Sequence, residues 1–151
     1  MTAEVVKYDI KGGLAMRTTI DNPNTVPAPA GPYSHAARID IGGGSLLFLS
    51  GQVAVDDDNQ IVGRGDMTAQ SERVFELIGA ILEAHGASFD DVVNIRSYLT
   101  DLSLRSEYAA VRGKYLTCQL PTSTTVEVPR LFLPDALLEV EVVAAISGGT
   151  P

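Results

Sequence analysis

The sequence predicts an α+β domain of two layers, with its elements in the order β-β-α-β-α-β-β. Three observations carry this. The longest apolar run, Leu137–Ile146 (LLEVEVVAAI), has no Gly or Pro inside and four Val and Ile residues, so it reads as a buried strand. Val74, Leu77, Ile78, Ile81 and Leu82 keep the spacing of one buried helix face. Only one further helical pattern occurs, so both helices are expected on one face of a single sheet. The other face is then left without cover, and association through it is expected.

Taken in order, residues 1–25 read as an N-terminal extension that can add an edge strand, with Glu4–Ile10 as that strand and Lys11-Gly12-Gly13 as a turn. Residues 26–151 form the main domain. Pro23, Pro27, Pro29 and Pro32 keep the segment before it extended. Ala36–Ile41 and Leu46–Gln52 flank the Gly42-Gly43-Gly44-Ser45 turn as a hairpin. Asp66 is placed to cap a helix that runs to about Ala84, with Gly86 at its end. Val92–Leu99 is a third strand. A second helix starts near Ser103, with Leu104, Tyr108, Val111 and Tyr115 on one stripe. Ser123–Val128 is the fourth strand and Leu137–Ile146 the last.

Composition narrows the function classes. At 151 residues and a net charge of −8, the chain is long enough for one real core and its surface repels phosphate backbones, so a nucleic-acid partner is disfavoured. Cys118 is the only cysteine, which rules out an intrachain disulfide and fits a reducing compartment. No apolar run is long enough for a membrane helix, and the first twenty residues lack a signal-type apolar core, so a cytoplasmic location without a membrane partner is the expectation. The turn glycines have no Gly-Lys-Ser/Thr after them, which argues against a phosphate loop. Asp56-Asp57-Asp58-Asn59 lacks the Gly and terminal Glu of a calcium loop, so no metal site is expected. His35 reads as a structural histidine. His85 sits in the last turn of the first helix, where a partial positive charge is favourable, and reads as a capping residue.

Along the last strand, Leu138, Val140, Val142, Ala144 and Ile146 form one face, and Glu139 and Glu141 share the other. Either carboxylate is a candidate for a cleft that tunes its protonation, or both meet solvent; periodicity does not choose between them.

Several motifs together resemble the RidA/YjgF family, the reactive intermediate deaminases, whose older names are translation inhibitor and endoribonuclease L-PSP. They are Gly31-Pro32-Tyr33-Ser34-His35-Ala36, Leu47-Phe48-Leu49-Ser50-Gly51-Gln52, Gly65-Asp66 with Ala69-Gln70, and Asp91-Val92-Val93 with Tyr98-Leu99-Thr100-Asp101. Pro121, Val126-Glu127-Val128 and Leu138-Glu139-Val140-Glu141 complete the set. The resemblance covers roughly residues 26–146. It implies a chorismate-mutase-like fold and a homotrimer with clefts at the subunit interfaces. It also implies hydrolysis of 2-aminoacrylate and related enamines or imines to keto acids and ammonia, without metal or organic cofactor.

The resemblance also implies the site. Glu139 matches the glutamate that positions the attacking water, Tyr33 matches a tyrosine lining the cleft, and Ser50 and Gly51 match the stretch beside the ligand. Ser123 stands where deaminase members carry a substrate-binding arginine, in Pro121-Thr122-Ser123-Thr124-Thr125, so Thr124 and Thr125 join it in a run of hydroxyls. A hydroxyl cannot replace the charge of a guanidinium. Arg112 stands where those members often have Asn, and can reach the ligand from the opposite wall. The expectation is a small-molecule cleft protein acting weakly or on a different ligand. A non-catalytic metabolite-binding trimer and an endoribonuclease are the alternatives, the latter disfavoured by charge.

Overall fold

The computed structural model describes the backbone of residues 4–8 and the whole of residues 16–148. The strands are β1 (Glu4–Tyr8), β2 (Met16–Asp21), β3 (Ala36–Asp40), β4 (Gly44–Leu49), β5 (Val92–Leu99), β6 (Thr122–Glu127) and β7 (Leu138–Ser147). They form one seven-stranded sheet in the order β1-β2-β3-β4-β7-β5-β6. All neighbours are antiparallel except β5 and β6, which pair in parallel. That parallel pair needs a crossover, supplied by α2 (Arg105–Tyr115). The other helix, α1 (Met67–Ala84), joins the hairpin half of the sheet to β5.

The order of elements from β3 onwards is the expected one. Near the N-terminus the expectation was one strand, and two are present. β2 pairs with both β1 and β3. Its run MRTTID has little apolar contrast to mark it; threonine's branched side chain suits a strand, but the pairing is tertiary. The turn expected at Lys11-Gly12-Gly13 lies outside the described residues.

β7 sits between β4 and β5. Its Leu138, Val140, Val142 and Ala144 are at most 2% exposed, and burying such a side chain contributes about 1.5–3 kcal/mol. They pack on the α1 face predicted by spacing, where Val74, Ile78, Ile81 and Leu82 are fully buried. Asp66 caps α1 by accepting from the Ala69 amide at 2.9 Å, and Gly86 follows at φ +71°, a left-handed position that suits glycine. α2 covers the same face: Tyr108 is buried and shares a short hydrogen bond with Ser97 of β5, and Phe75 of α1 stacks on Tyr115 at 5.0 Å. The opposite face is open, with Phe48 and Val126 exposed. Among the described residues no helix is long and apolar enough to cross a membrane.

His85 is the C-cap of α1, as expected, its backbone N–H donating to the Leu82 carbonyl at 3.0 Å. Its ring is buried, with Nε2 3.4 Å from the Asp21 carboxylate, while Arg38 donates to its carbonyl at 2.9 Å. Burial holds its pKa below the usual histidine value against the pull of Asp21. The ring packs beside Asp21 of β2, and its burial disfavours the charged form.

Candidate functional site

The site is built where β4 runs out beside β7. Phe48 pairs with Val143, yet four residues further on Gln52 pairs with Val140, only three residues back along β7. The β4 side therefore holds one extra residue, a bulge. Burial records the change of phase: Leu47 and Leu49 are buried before it, Gln52 and Ala54 after it. Ser50 and Gly51 lie at the shift. Backbone bonds fix both sides, with Ser50 N donating to His35 O at 2.9 Å and Gln52 N to Val140 O at 2.8 Å.

Glu139 leans towards this bulge. Its carboxylate lies so close to the Gly51 Cα that a Cβ there would fall 2.1 Å from Oε1. Only glycine leaves this space. The carboxylate lines a cleft of about 420 Å³ with Gly31, Pro32, Tyr33, Ser50, Gly51, Val53 and Phe132. The walls are largely apolar, and burial, then the neighbouring Glu141 charge, push the Glu139 carboxyl above its ordinary range.

Tyr33 is held at the cleft mouth. Its hydroxyl accepts from the Ala30 amide at 3.3 Å, so its proton is still available to donate. Its ring meets the His35 ring edge-on at 6.4 Å. His35 is buried, with Nε2 2.8 Å from the Pro27 carbonyl and Nδ1 3.3 Å from the Gln52 amide. This pattern requires the neutral Nε2–H tautomer and leaves the ring a structural part, as its lack of acidic company in sequence suggested. The Ser50 hydroxyl donates to the Ser34 carbonyl at 2.6 Å.

The remaining candidates lie elsewhere in the chain. Ser123 pairs in register with Ile95, and Thr125 with Ser97, residues that face the helices. Arg112 of α2 donates to Ser123 Oγ at 3.0 Å, which confirms that side. Thr124 pairs with Arg96 on the open face and is exposed. None of these four lines the Glu139 cleft. Phe132 does, although sequence reasoning passed over it; a large apolar residue in the loop before β7, flanked by Leu131 and Leu133, was the available signal. Among the described residues no three His, Cys, Asp or Glu side chains gather as a metal site requires.

The fold and site together define a two-layer α+β protein with a carboxyl cleft at the bulge of its sheet. Residues 23–146 match the family described as endoribonuclease L-PSP, and the chain belongs to this family, the RidA/YjgF proteins. A RutC family protein of Pyrococcus abyssi is 39% identical over 118 residues, covering 78% of this chain and 89% of that protein. The 3-aminoacrylate deaminase RutC of Acinetobacter baylyi is 32% identical over 124 residues, covering 82% and 94%. The crystal structure of RidA from an Antarctic Psychrobacter superposes with a TM-score of 0.73 at 33% identity, covering 84% of this chain and 98% of that one.

Proposed function

We propose that this chain hydrolyses enamines or imines, with Glu139 as the acid–base residue, Tyr33 beside it, and Ser50 and Gly51 as the substrate-binding edge. One observation carries the reading: a carboxyl held against bare backbone in an apolar cleft, with its pKa raised. A general acid works best when its pKa approaches the operating pH. The protonated carboxyl gives its proton to the enamine carbon and forms an iminium. The carboxylate then takes a proton from the water that adds to the iminium carbon. Collapse of the resulting carbinolamine expels ammonia and leaves a carbonyl.

The ligand differs from the usual carboxylate-bearing substrate, or is turned over weakly, because Ser123 replaces the anchoring arginine. Arg112, bonded to Ser123, and the neighbouring Thr124 and Thr125 bind ligand only if a second copy presents them across an interface. A homotrimer with interfacial clefts does this, and the open sheet face with Phe48 and Val126 supports it. Light scattering should give about three times the 16.0 kDa chain mass. A stable monomer removes the interfacial residues from the site.

Ammonia release from freshly generated 2-aminoacrylate tests the chemistry. Wild type should be slow. Ser123→Arg should raise kcat/KM by roughly 30- to 150-fold, the worth of a recovered bidentate pair of ~2–3 kcal/mol. Full wild-type activity that Arg112→Ala abolishes would make Arg112 the anchor and overturn the weak-substrate reading. Ligand binding without turnover in any folded variant would leave a metabolite-binding protein. The net charge of −8 weighs against RNA as substrate.

A further inference from the structure

Gln70 is a fully buried polar side chain outside the cleft. Its amide is used at both ends. Nε2 donates to the Gly63 carbonyl at 3.2 Å and to the Asp135 carbonyl at 2.9 Å, and Oε1 accepts from the Leu137 amide at 2.8 Å. The orientation is fixed, because a flipped amide would set oxygen against two carbonyls and NH₂ against an N–H.

One of the three bonds holds the loop that leads into α1, and the other two tie α1 to the segment that enters β7. That segment carries Phe132, a wall of the cleft, and leads through Leu137 and Leu138 into Glu139. It also contains Asp135 at φ +67°, a left-handed position that few non-glycine residues adopt. Such a conformation persists only where its surroundings determine it. Gln70 bonds the carbonyl of that residue from inside the core. The other restraint on its side chain is an exposed ion pair with Arg64 at 3.4 Å, of a kind that contributes little.

We infer that Gln70 is a positioning residue for the cleft: its amide fixes the Asp135–Leu137 segment, and through it the places of Phe132 and the Glu139 carboxyl. The functional meaning rests on the Glu139 reading above, but the positioning does not. A glutamate at this position keeps the shape and cannot, when ionised, donate to two carbonyls; a methionine keeps the volume and bonds neither end. Released from the clamp, the segment lets Phe132 swing away and water reach Glu139.

The test is read on the full chain without substrate, so a failed deaminase assay does not touch it. Carboxyl NMR follows the Glu139 titration and amide exchange follows Leu137 in wild type, Gln70→Glu and Gln70→Met. Both variants should exchange the Leu137 amide at least tenfold faster, and Glu139 should titrate at lower pH than in wild type. Faster exchange with an unmoved Glu139 titration would make Gln70 a structural residue only and overturn the proposal. If neither variant folds, Asp135→Val strains the same clamp from the exposed side, because a β-branched residue resists positive φ. The proposal then stands if Glu139 titrates lower in Asp135→Val, and falls if it does not.

Discussion

Glu139 and Glu141 stand two residues apart on one face of β7, and their surroundings differ in what lies across the strand. Arg96 is directly opposite Glu141 in register and reaches its Oε1 at 3.4 Å. Tyr98 is directly opposite Glu139, but its hydroxyl crosses diagonally and donates to Glu141 Oε1 at 2.9 Å. Glu141 thus takes both partners that β5 offers, and its charge raises the Tyr98 pKa through that bond. Glu139 turns to the other side, where the β4 bulge offers the bare Cα of Gly51. Two side chains of β5 hold the Glu141 carboxylate, whereas burial raises the pKa of the Glu139 carboxyl.

The largest expected effect breaks this pair apart. Glu139→Gln should cut turnover by roughly 100- to 10,000-fold, the usual contribution of a positioned acid–base group; Glu141→Gln should change it by less than about tenfold. Equal losses would erase the distinction. Stability carries the opposite sign. A carboxyl whose folded pKa is raised favours the fold fully below its ordinary value near 4.5 and loses that contribution as pH rises through the folded value. Chemical denaturation should therefore show Glu139→Gln gaining on wild type as pH climbs from about 4.5 through the folded value, and no further gain above it. A difference that stays flat with pH would place Glu139 in open solvent.

A smaller effect is expected at the cradle. Gly51→Ala puts a methyl where the Glu139 carboxylate lies, and that side chain must swing aside from its Cγ outward. Melting should shift little, whereas kcat/KM should fall about 10- to 100-fold, the scale of a displaced catalytic group. The smallest effect sharpens the Glu141 side. Tyr98→Phe removes one hydrogen bond and should cost about 0.5–1.5 kcal/mol in stability, with turnover nearly unchanged.

Much of the scaffold was legible in the sequence because it rests on repeating patterns. Alternation along Leu138–Ile146 separated the core face from the two glutamates, and the 3.6-residue stripe placed α1. Motif resemblance pointed to Glu139, Tyr33, Ser50 and Gly51, which the fold brings to one cleft. The choice of Glu139 over Glu141 is beyond periodicity, because the two share a face and differ only in neighbours from β4 and β5. The bulge also escaped, since Leu46–Gln52 reads as one even strand; a glycine inside it was the clue. Gln70 meets Leu137, 67 positions away, so no local pattern can reveal it. Ser123 and Glu139 belong to one chain but to opposite faces of the sheet, and only topology shows that.

The extra residue between Leu49 and Gln52 has a consequence for insertions and deletions. Before it, odd-numbered side chains of β4 enter the core; after it, even-numbered ones do. Deleting one residue there would leave the hairpin, the β4–β7 pairing upstream and the helical layer able to form. Downstream, the register would close up evenly: Gln52 would still meet Val140, and Gln52 and Ala54 would keep their buried side. What would go is the bulge itself, and with it the Ser50-Gly51 edge against which the Glu139 carboxylate lies. The loss of a single residue is thus enough to separate the fold from its chemistry, and length at this point is as tightly constrained as identity.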